Sequence, residues 1–479
     1  MRKLLLVLTL TSLPILSFCQ INDNTKTIID NYLKEAAEIN EIPGLAVAVV
    51  KKGKTVYEKY YGKSSFEENG PIDKKSIFRL YSTTKLISTV GLFQLVEKGQ
   101  LSLEDNISKY LDGLPKEWQQ VKVKNLITHS SGLPDVVKFE DIPYSLAEHE
   151  KWVRLYQKPI VFEAGDHYDY NQTNYLLVTK IIEKISGLTF EDYIIKNQFS
   201  SVAGGVIFAA NDSEFIRNRV AHYRFSHKGK KYEKVTVLAD HGKIHNSGSG
   251  LNITLSEFVA WNKRLDDNAL LKPATKSLMW SQFQFKSKED KFLYGWGIYG
   301  EKRRESFGFS GGYMTAFRKF VKNDLTIIFL SNGYKHYNVE EQVIDHIAGV
   351  VNKQLVDNGL LAYEEITADF YQNDFGKAAQ NFNSIKKQNP TRNFENRLLA
   401  IGYNLMNNEN SIEAIKVFEL NARENQKSAN AYDCLAEAYF ANKQLEVAKQ
   451  NYKKSLELYP GNTNATDMIN KIDEMLKQK

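Results

Sequence analysis

The sequence predicts an α+β domain followed by an all-α repeat region, with a short export segment ahead of both. Strand-like stretches lie at 44–62 and 292–332 with helical stretches between them, which is typical of one layered domain whose first and last strands share a sheet. After about residue 355 the strand pattern stops and a helical period of 34 residues begins. The 479 residues also exceed what one hydrophobic core usually holds, so more than one domain is expected.

The first 19 residues have the pattern of a signal peptide. Arg2 and Lys3 precede an apolar run over 4–16, which is shorter than the ~20 residues that a membrane-spanning helix needs. We predict cleavage before Gln20 and a periplasmic or extracellular mature protein. Lipid anchoring through Cys19 is the alternative.

Charge and cysteine content narrow the possible functions. The 63 basic and 57 acidic residues leave a net charge of +6 without a basic block, so no nucleic-acid-binding patch is predicted. Once Cys19 is removed, Cys434 alone can form no intrachain disulfide and no cysteine metal site. His241 and His245 are four residues apart, but the glycine and asparagine around them favour a surface loop. We therefore expect neither a metal nor a cofactor.

The elements of the α+β domain follow from periodicity and from turn residues. A β-hairpin about Gly53 is predicted over 44–62. Helical spacing predicts helices over 24–39, over 84–100 with an end at Gly99, and over 174–187 with an end at Gly187. The capping box from Thr254 to Glu257 predicts the start of another helix. Strands are predicted at 292–300, 313–320 and 325–332, with a turn at 323–324 between the last two.

The segment "GFSGG" contains G-x-S-x-G, the spacing of a nucleophile elbow, and raises Ser310 as a possible nucleophile. An elbow serine is followed at once by a helix, whereas the residues after Ser310 predict strand, turn and strand. We therefore interpret "GFSGG" as a strand edge that lines a pocket, and not as an elbow.

A better candidate nucleophile is Ser82, which begins an S-x-x-K motif ending at Lys85. Residues i and i+3 share one helical face, so the two side chains are within reach of each other. A serine hydroxyl needs a base to take its proton, and a buried lysine can serve as that base. The start of the helix also offers free backbone N–H groups to a developing oxyanion.

The surroundings of this motif resemble a known family. The stretches "IPGLAVAVVKKGKTVYEKYYG", "FRLYSTTK", "LVEKGQLSLEDNISKYL", "VKNLITHSSGLPD", "AGDHYDYNQTNYLLV", "SGSGLNITLSEF" and "GFSGGYM" occur in the order found in the serine β-lactamase and penicillin-binding-protein superfamily. The chain is most similar to the class C β-lactamase-like branch, which includes esterases and D-amino-acid peptidases. The resemblance covers roughly 25–350 and implies a β-lactamase/transpeptidase-like antiparallel sheet, flanked by helices and carrying a helical subdomain, within residues 20–355.

The resemblance also implies roles for individual residues. Ser82 corresponds to the acylated nucleophile and Lys85 to its partner. Tyr170 corresponds to the tyrosine of the Y-x-N motif, which shares the general-base role and protonates the leaving group. The backbone N–H groups of Ser82 and Gly312 are the expected oxyanion donors, while His129 in "THSSGLP" is expected to cap a helix. Whether Lys85 or Tyr170 takes the first proton stays open.

Two motifs depart from the family pattern. Gln172 stands where Y-x-N has asparagine, so its hydrogen bond to a substrate amide must be reached differently. The third motif, usually K-T-G or H-x-G, reads Phe309, Ser310 and Gly311 here. Phe309 supplies neither a cation nor an imidazole to a substrate carboxylate, and Arg303 or Arg304 upstream is the candidate replacement. Ser310 and Gly311 are expected to bind the substrate.

These residues favour an exported serine hydrolase that forms an acyl-Ser82 intermediate and acts on esters, small amides or peptides. Because the group that would bind a carboxylate is missing at position 309, penicillins and peptides with a terminal carboxylate are disfavoured. The alternative is a catalytically degenerate binding protein.

The repeats of the C-terminal region, predicted over 356–479, resemble tetratricopeptide repeats. Ala414 and Ala448 occupy the same position in units 34 residues apart, and a weaker unit precedes them. About three units and a final capping helix predict a solenoid that can bind a protein partner. A plain helical bundle is the alternative.

Overall fold

The computed structural model describes residues 21–477 except 144, 201–203, 212–213, 227–230, 236–241 and 337–338. The predicted signal peptide and His241 lie outside the described residues. Within the part of the chain that is described, no helix is long and apolar enough to cross a membrane.

The helices of the N-terminal part surround and cover the sheets. They are α1 (Asp23–Ile39), α2 (Thr84–Glu97), α3 (Val123–Ile127), α4 (Glu148–Leu155), α5 (Gln172–Ser186), α6 (Phe190–Gln198), α7 (Asn246–Ser249), α8 (Leu255–Asp266), α9 (Pro273–Met279) and α10 (Val339–Val351). The helices that follow are α11 (Asn358–Gln372), α12 (Phe375–Gln388), α13 (Glu395–Asn407), α14 (Ser411–Glu424), α15 (Ala429–Ala441), α16 (Leu445–Leu458) and α17 (Thr463–Lys477).

The strands form one large and two small sheets. They are β1 (Gly44–Lys51), β2 (Lys54–Gly62), β3 (Ile77–Arg79), β4 (Val206–Phe208), β5 (Tyr223–Ser226), β6 (Lys231–Lys234), β7 (Leu251–Thr254), β8 (Gly297–Tyr299), β9 (Ser306–Gly311), β10 (Thr315–Phe320), β11 (Leu325–Ser331) and β12 (Gly333–Tyr334). The large sheet is antiparallel in the order β2-β1-β11-β10-β9-β8. The N-terminal hairpin therefore pairs with the C-terminal strands, as predicted.

Helices cover both faces of the large sheet. Strand β1 directs Ala46 and Ala48 into the core that contains α2, α5 and α8, and Leu45, Val47 and Val49 into the core under α1 and α10. Because both faces are covered, β1 reads as a continuous apolar run and not as an alternating one. Helix α2 is buried on all sides from Thr84 to Leu95 because it crosses the middle of the larger core.

Helix ends follow the predicted residues closely. Gly187 adopts the left-handed conformation at the end of α5, with φ of 68°. The Thr254 hydroxyl accepts a hydrogen bond from the Glu257 N–H at the start of α8. Gly99 has a φ of 71° two residues after α2 ends, so all three predictions that rested on capping residues are confirmed.

The strand predicted at 292–300 is shorter in the structure, where β8 covers only Gly297–Tyr299. A turn about Gly295, with φ of 80°, precedes it. A Cβ atom at Gly295 would lie 2.2 Å from the Thr89 hydroxyl oxygen, so the chain bends where only glycine fits. Phe292 and Trp296 of this stretch are buried in the core instead, and Tyr294 packs against it.

The two small sheets, β3-β7-β4 and β12-β5-β6, were not predicted. Their strands contain only two to four residues, too few for an alternating pattern to emerge. The β3-β7-β4 sheet matters for the site because β3 leads directly into α2.

The C-terminal region is entirely helical and its helices pack as successive neighbours. Small residues permit close contact: a Cβ atom at Gly402 of α13 would lie 2.6 Å from the Phe418 ring of α14. Polar contacts join this region to the sheet domain, with Arg304 on Asp357 at 2.6 Å and His346 on Glu364 at 2.7 Å.

Candidate active site

Ser82 lies in the short helical turn between β3 and α2, three residues before Lys85 on the same face. The Lys85 Nζ atom is 3.5 Å from the Ser82 hydroxyl oxygen. Tyr81, the preceding residue, has a φ of 47°, a conformation that is unusual for a bulky residue and that orients the turn. The structure therefore brings the two residues of the S-x-x-K motif together.

Tyr170 reaches the same serine from the loop that precedes α5. Its hydroxyl donates a hydrogen bond to the Ser82 hydroxyl oxygen at 2.7 Å. The next residue, Asn171, is held by two contacts: its N–H donates to His129 Nδ1 at 3.1 Å, and its side-chain amide donates to the Leu133 carbonyl at 2.6 Å. The loop position of Tyr170 is thus fixed by its immediate neighbour.

His129 supports Tyr170 by packing. The two rings are 4.6 Å apart, and burial, followed by the nearby Lys85 charge, holds the pKa of His129 well below its usual range. The imidazole is therefore neutral and accepts at Nδ1. The backbone N–H of His129 donates to the Leu126 carbonyl at 3.3 Å just beyond the end of α3, where His129 has a φ of 53°. These contacts match the helix-capping role expected from the sequence.

The Lys85 ammonium group is fully buried. It donates to the Gly248 carbonyl at 2.9 Å and to Gln172 Oε1 at 3.1 Å, and it lies 4.9 Å from the centre of the Tyr170 ring. Among the described residues its hydrogen-bond acceptors are all uncharged. Although Gln172 is longer than the asparagine of the family pattern, its amide oxygen still reaches the lysine.

The end of β9 packs against the turn that carries Ser82. A Cβ atom at Gly311 would lie 2.3 Å from the Leu80 carbonyl oxygen and 2.9 Å from the Ser82 nitrogen. At Gly312 it would lie 2.9 Å from the Tyr81 ring. Only glycines allow this approach, which brings the segments of the two expected oxyanion donors together. Strand β8 pairs with β9 only as far as Gly308, so the end of β9 is open on that side.

Phe309 forms an apolar wall of the site. It is 6% exposed, and its ring centre lies 6.2 Å from that of Tyr170 and 6.3 Å from that of Phe292. Arg303 and Arg304 do not replace the missing cation. Arg303 donates to the Val356 carbonyl and Arg304 to Asp357, so both are engaged at the junction with the helical region.

Ser310 points to the opposite face of β9. Its hydroxyl donates to Glu341 of α10 at 3.1 Å and accepts from Arg318 of β10 at 2.6 Å. The Arg318 guanidinium also bonds to Glu341 and lies 3.2 Å from the centre of the Tyr299 ring. These contacts lend no support to the predicted substrate contact of Ser310, which stays a prediction. The alternation of side chains along a strand would have separated Ser310 from Phe309.

The cluster of Arg318, Glu340 and Glu341, on the face of β9 to which Ser310 points, was not predicted from the sequence. Glu340, next to Glu341, is buried, and burial raises its pKa to about 8. These glutamates stand at the start of a helix and read as ordinary N-terminal acidic residues. No local pattern pairs them with an arginine of a distant strand.

No metal centre accompanies the site in the part of the chain that the structure describes. Within those residues no group of three histidine, cysteine, aspartate or glutamate side chains could hold a metal ion. His245 is described and is largely buried, but its sequence neighbour in the motif, His241, is not described.

Comparison with known proteins identifies the family of this chain. Residues 29–363 match the Beta-lactamase family, and the chain belongs to it. The match ends within α11, so it does not cover the helical region beyond.

Similar proteins include penicillin-binding protein 4* of Bacillus subtilis, 24% identical over 68% of this chain and 75% of that protein. Teichoic acid D-alanine hydrolase of Staphylococcus aureus is 25% identical over 68% of this chain and 77% of its own. Among solved structures, D-amino acid amidase from Ochrobactrum anthropi SV3 has a TM-score of 0.57 at 17% identity, covering 70% of this chain and 99% of the other. These likenesses support the same fold.

Proposed function

We propose that this protein is an exported serine hydrolase that cleaves esters or small amides and peptides through an acyl-Ser82 intermediate. The observation that carries the proposal is the convergence on one hydroxyl oxygen. Tyr170 donates to it at 2.7 Å and Lys85 lies 3.5 Å from it, at a helix start against which the glycines of β9 pack.

The proposed reaction has two steps. In the first, the Ser82 oxygen bonds to the substrate carbonyl carbon while its proton passes to the Lys85–Tyr170 pair. The backbone N–H groups of Ser82 and Gly312 stabilise the oxyanion, and the leaving group departs with a proton from Tyr170. In the second, the oxygen of a water molecule bonds to the acyl carbon while the water gives a proton to the same pair, and the pair passes that proton to the Ser82 oxygen as its bond to the acyl carbon breaks and the acid is released.

The wall at Phe309 supports an uncharged group on that side of the substrate. A carboxylate placed against a buried phenyl ring would lose hydration without gaining a partner, which disfavours penicillins and carboxylate-terminated peptides. Two similar proteins are named as a teichoic acid D-alanine hydrolase and a D-amino acid amidase. We propose small acyl esters and amides as the substrate class of this chain.

A binding protein with a degenerate site is the second candidate function. It is favoured by Phe309 in place of a polar group and by the engagement of Ser310 with Arg318 and Glu341.

We propose that the helices from α11 onward are about three tetratricopeptide repeats with α17 as the capping helix, that they form a domain over 356–479, and that they bind a protein partner. The burial of Ala414 and Ala448, 34 residues apart, supports this assignment.

Export through a signal peptide over 1–19 belongs to the same proposal, with lipid anchoring at Cys19 as the alternative. The apolar run after Arg2 and Lys3 supports it. Mass spectrometry of the mature protein is expected to find Gln20 at the N-terminus. A lipid-modified cysteine or an intact leader would contradict this.

A fluorophosphonate probe separates the two candidate functions. The hydrolase is expected to be labelled at Ser82, with labelling abolished in Ser82→Ala and kept in Ser281→Ala, a variant of an exposed serine. No label at Ser82, together with no turnover of p-nitrophenyl esters, would favour the binding protein. A label at Ser310 would contradict the assignment of the nucleophile.

A further inference from the structure

Among the described residues, three aromatic residues have a left-handed backbone conformation, and each adjoins or packs on a residue assigned to the site. Among the described residues, the non-glycine positions with positive φ are mostly Lys, Glu, Asn and Asp. The aromatic ones are Tyr81 (47°), His129 (53°) and Tyr313 (59°). Tyr81 precedes Ser82, His129 packs on Tyr170, and Tyr313 follows Gly312. Strain of this kind concentrates at functional sites.

Tyr313 differs from the other two because its side chain is exposed. Tyr81 packs beneath Gly312, and its hydroxyl shares a hydrogen bond with His222 Nδ1 at 3.1 Å. His129 is fully buried. Tyr313 is 47% exposed and makes an edge contact with Tyr334 at 5.8 Å. The Tyr313 side chain is therefore accessible to a bound molecule.

The turn itself does not call for tyrosine. The Met314 N–H donates to the Gly311 carbonyl at 3.0 Å, and both central residues, Gly312 and Tyr313, have φ of 59°. A hairpin turn with two positive φ values favours glycine and asparagine at both positions. In the turn between β1 and β2, the second of the two positive-φ positions is glycine, because Gly53 follows Lys52.

The turn that contains Tyr313 lies next to the Ser82 segment, which determines what the Tyr313 ring can contact. Gly311 packs on the Ser82 nitrogen and Gly312 is the expected oxyanion donor, so Tyr313 stands one residue beyond the group that binds the carbonyl oxygen. A tyrosine side chain one residue from that donor is long enough to reach a group next to the carbonyl. Aromatic rings contribute most when they pack against flat apolar surfaces.

We propose that Tyr313 is a specificity-determining residue that packs against a flat, apolar group next to the scissile carbonyl of the substrate. The inference rests on the proposed function and deepens it by naming the kind of ester or amide that the site prefers. Substrates that carry an aromatic ring beside the carbonyl are favoured over those that carry a methyl or ethyl group there.

Selectivity between matched esters tests the proposal. The acyl side is probed with p-nitrophenyl phenylacetate against p-nitrophenyl acetate, and the alcohol side with 2-phenylethyl acetate against ethyl acetate. Tyr313→Asn is expected to reduce at least one of these kcat/KM ratios roughly 5-fold, mainly through KM, because one aromatic contact is lost. Tyr313→Phe is expected to keep both ratios.

Lys52→Asn is the matched control. It also replaces a left-handed residue of a hairpin turn by asparagine. Lys52 lies in the turn between β1 and β2 and has a φ of 50°. Both asparagine variants are expected to raise Tm by roughly 2 °C through relief of strain. Only Tyr313→Asn is expected to change selectivity. If neither ratio changes in Tyr313→Asn, the proposal is wrong.

A binding measurement separates this proposal from the proposed chemistry. N-(2-phenylethyl)phenylacetamide, with a ring on each side of its carbonyl, is titrated by calorimetry into Ser82→Ala and into Ser82→Ala/Tyr313→Asn. Roughly 5-fold weaker binding to the double variant supports the contact even if the wild type hydrolyses no ester, an outcome that would refute only the hydrolase function. Equal affinities, or no binding to Ser82→Ala, would overturn the role of Tyr313.

Discussion

The hydroxyl of Tyr170 is the shortest polar contact that Ser82 makes among the described side chains, at 2.7 Å. The ring behind it is held by His129, Phe309 and the Lys85 cation, so its packing does not depend on the hydroxyl. This separation of packing from chemistry permits a clean substitution.

Tyr170→Phe removes the O–H group and keeps the ring. We expect kcat for p-nitrophenyl acetate to fall about 100-fold or more, because a general acid–base group contributes at least that factor. KM and Tm are expected to change little. Steady-state kinetics and thermal unfolding test this, and a variant that retains full kcat would show that Tyr170 carries no proton.

At the scale of elements, the contact of β9 with the Ser82 turn depends on the absence of a side chain at Gly311. Gly311→Ala places a Cβ atom 2.3 Å from the Leu80 carbonyl oxygen, so strand and turn must separate. We expect kcat/KM to fall about 100-fold as the oxyanion donors lose their positions.

Gly113→Ala is the control for this prediction. Its φ is 72°, so alanine is strained there, but its Cβ atom would meet no atom within 4 Å. It is expected to lose about 1 kcal/mol of stability and to retain activity. Equal activity of the two variants would show that the close approach of β9 is not needed.

The buried carboxyl group of Glu340 on helix α10 predicts a pH dependence of stability. Burial, followed by the Glu341 charge, raises the pKa of Glu340 to about 8, while Arg318 opposes the shift. Between pH 4.5 and this value the folded chain holds a proton that the unfolded chain has released. The free energy of unfolding therefore falls as pH rises through this range, by up to about 1.4 kcal/mol per pH unit.

Glu340→Gln removes this titration. We expect Tm of the variant to depend less on pH between 5 and 8 than Tm of the wild type, and to exceed it at pH 8. Glu365→Gln, at an exposed glutamate, is expected to follow the wild type. Parallel curves for wild type and Glu340→Gln would contradict the prediction.

At the scale of the whole molecule, the helical region contacts the sheet domain but supplies none of the side chains described around Ser82. Arg304 binds Asp357, and Glu364 accepts from Tyr32 and pairs with His346. Removal of residues 356–479 is expected to lower Tm because these partners are lost, while ester turnover per folded molecule stays within about twofold. Loss of turnover in a folded truncated protein would show that the helices support the site.

Local patterns determined how much of this molecule could be predicted. The β1–β2 hairpin, the end of α5 at Gly187 and the spacing of Ser82 and Lys85 depend on neighbouring residues, and all three appear as expected. The direction of Ser310 follows from strand alternation, but its pairing with Glu341 and that of Arg304 with Asp357 depend on charged residues distant in sequence. Such pairings arise only when the sheet and α10 have assembled, which explains why the sequence did not reveal them.

The central claim, an acyl-Ser82 intermediate, is tested most directly by trapping it. The protein is mixed with p-nitrophenyl acetate, quenched in acid during turnover and digested, and the acetylated residue is located by mass spectrometry. The account predicts one acetyl group on Ser82 and none in Ser82→Ala. Acetylation at a different serine in step with turnover, or turnover undiminished in Ser82→Ala, would contradict it.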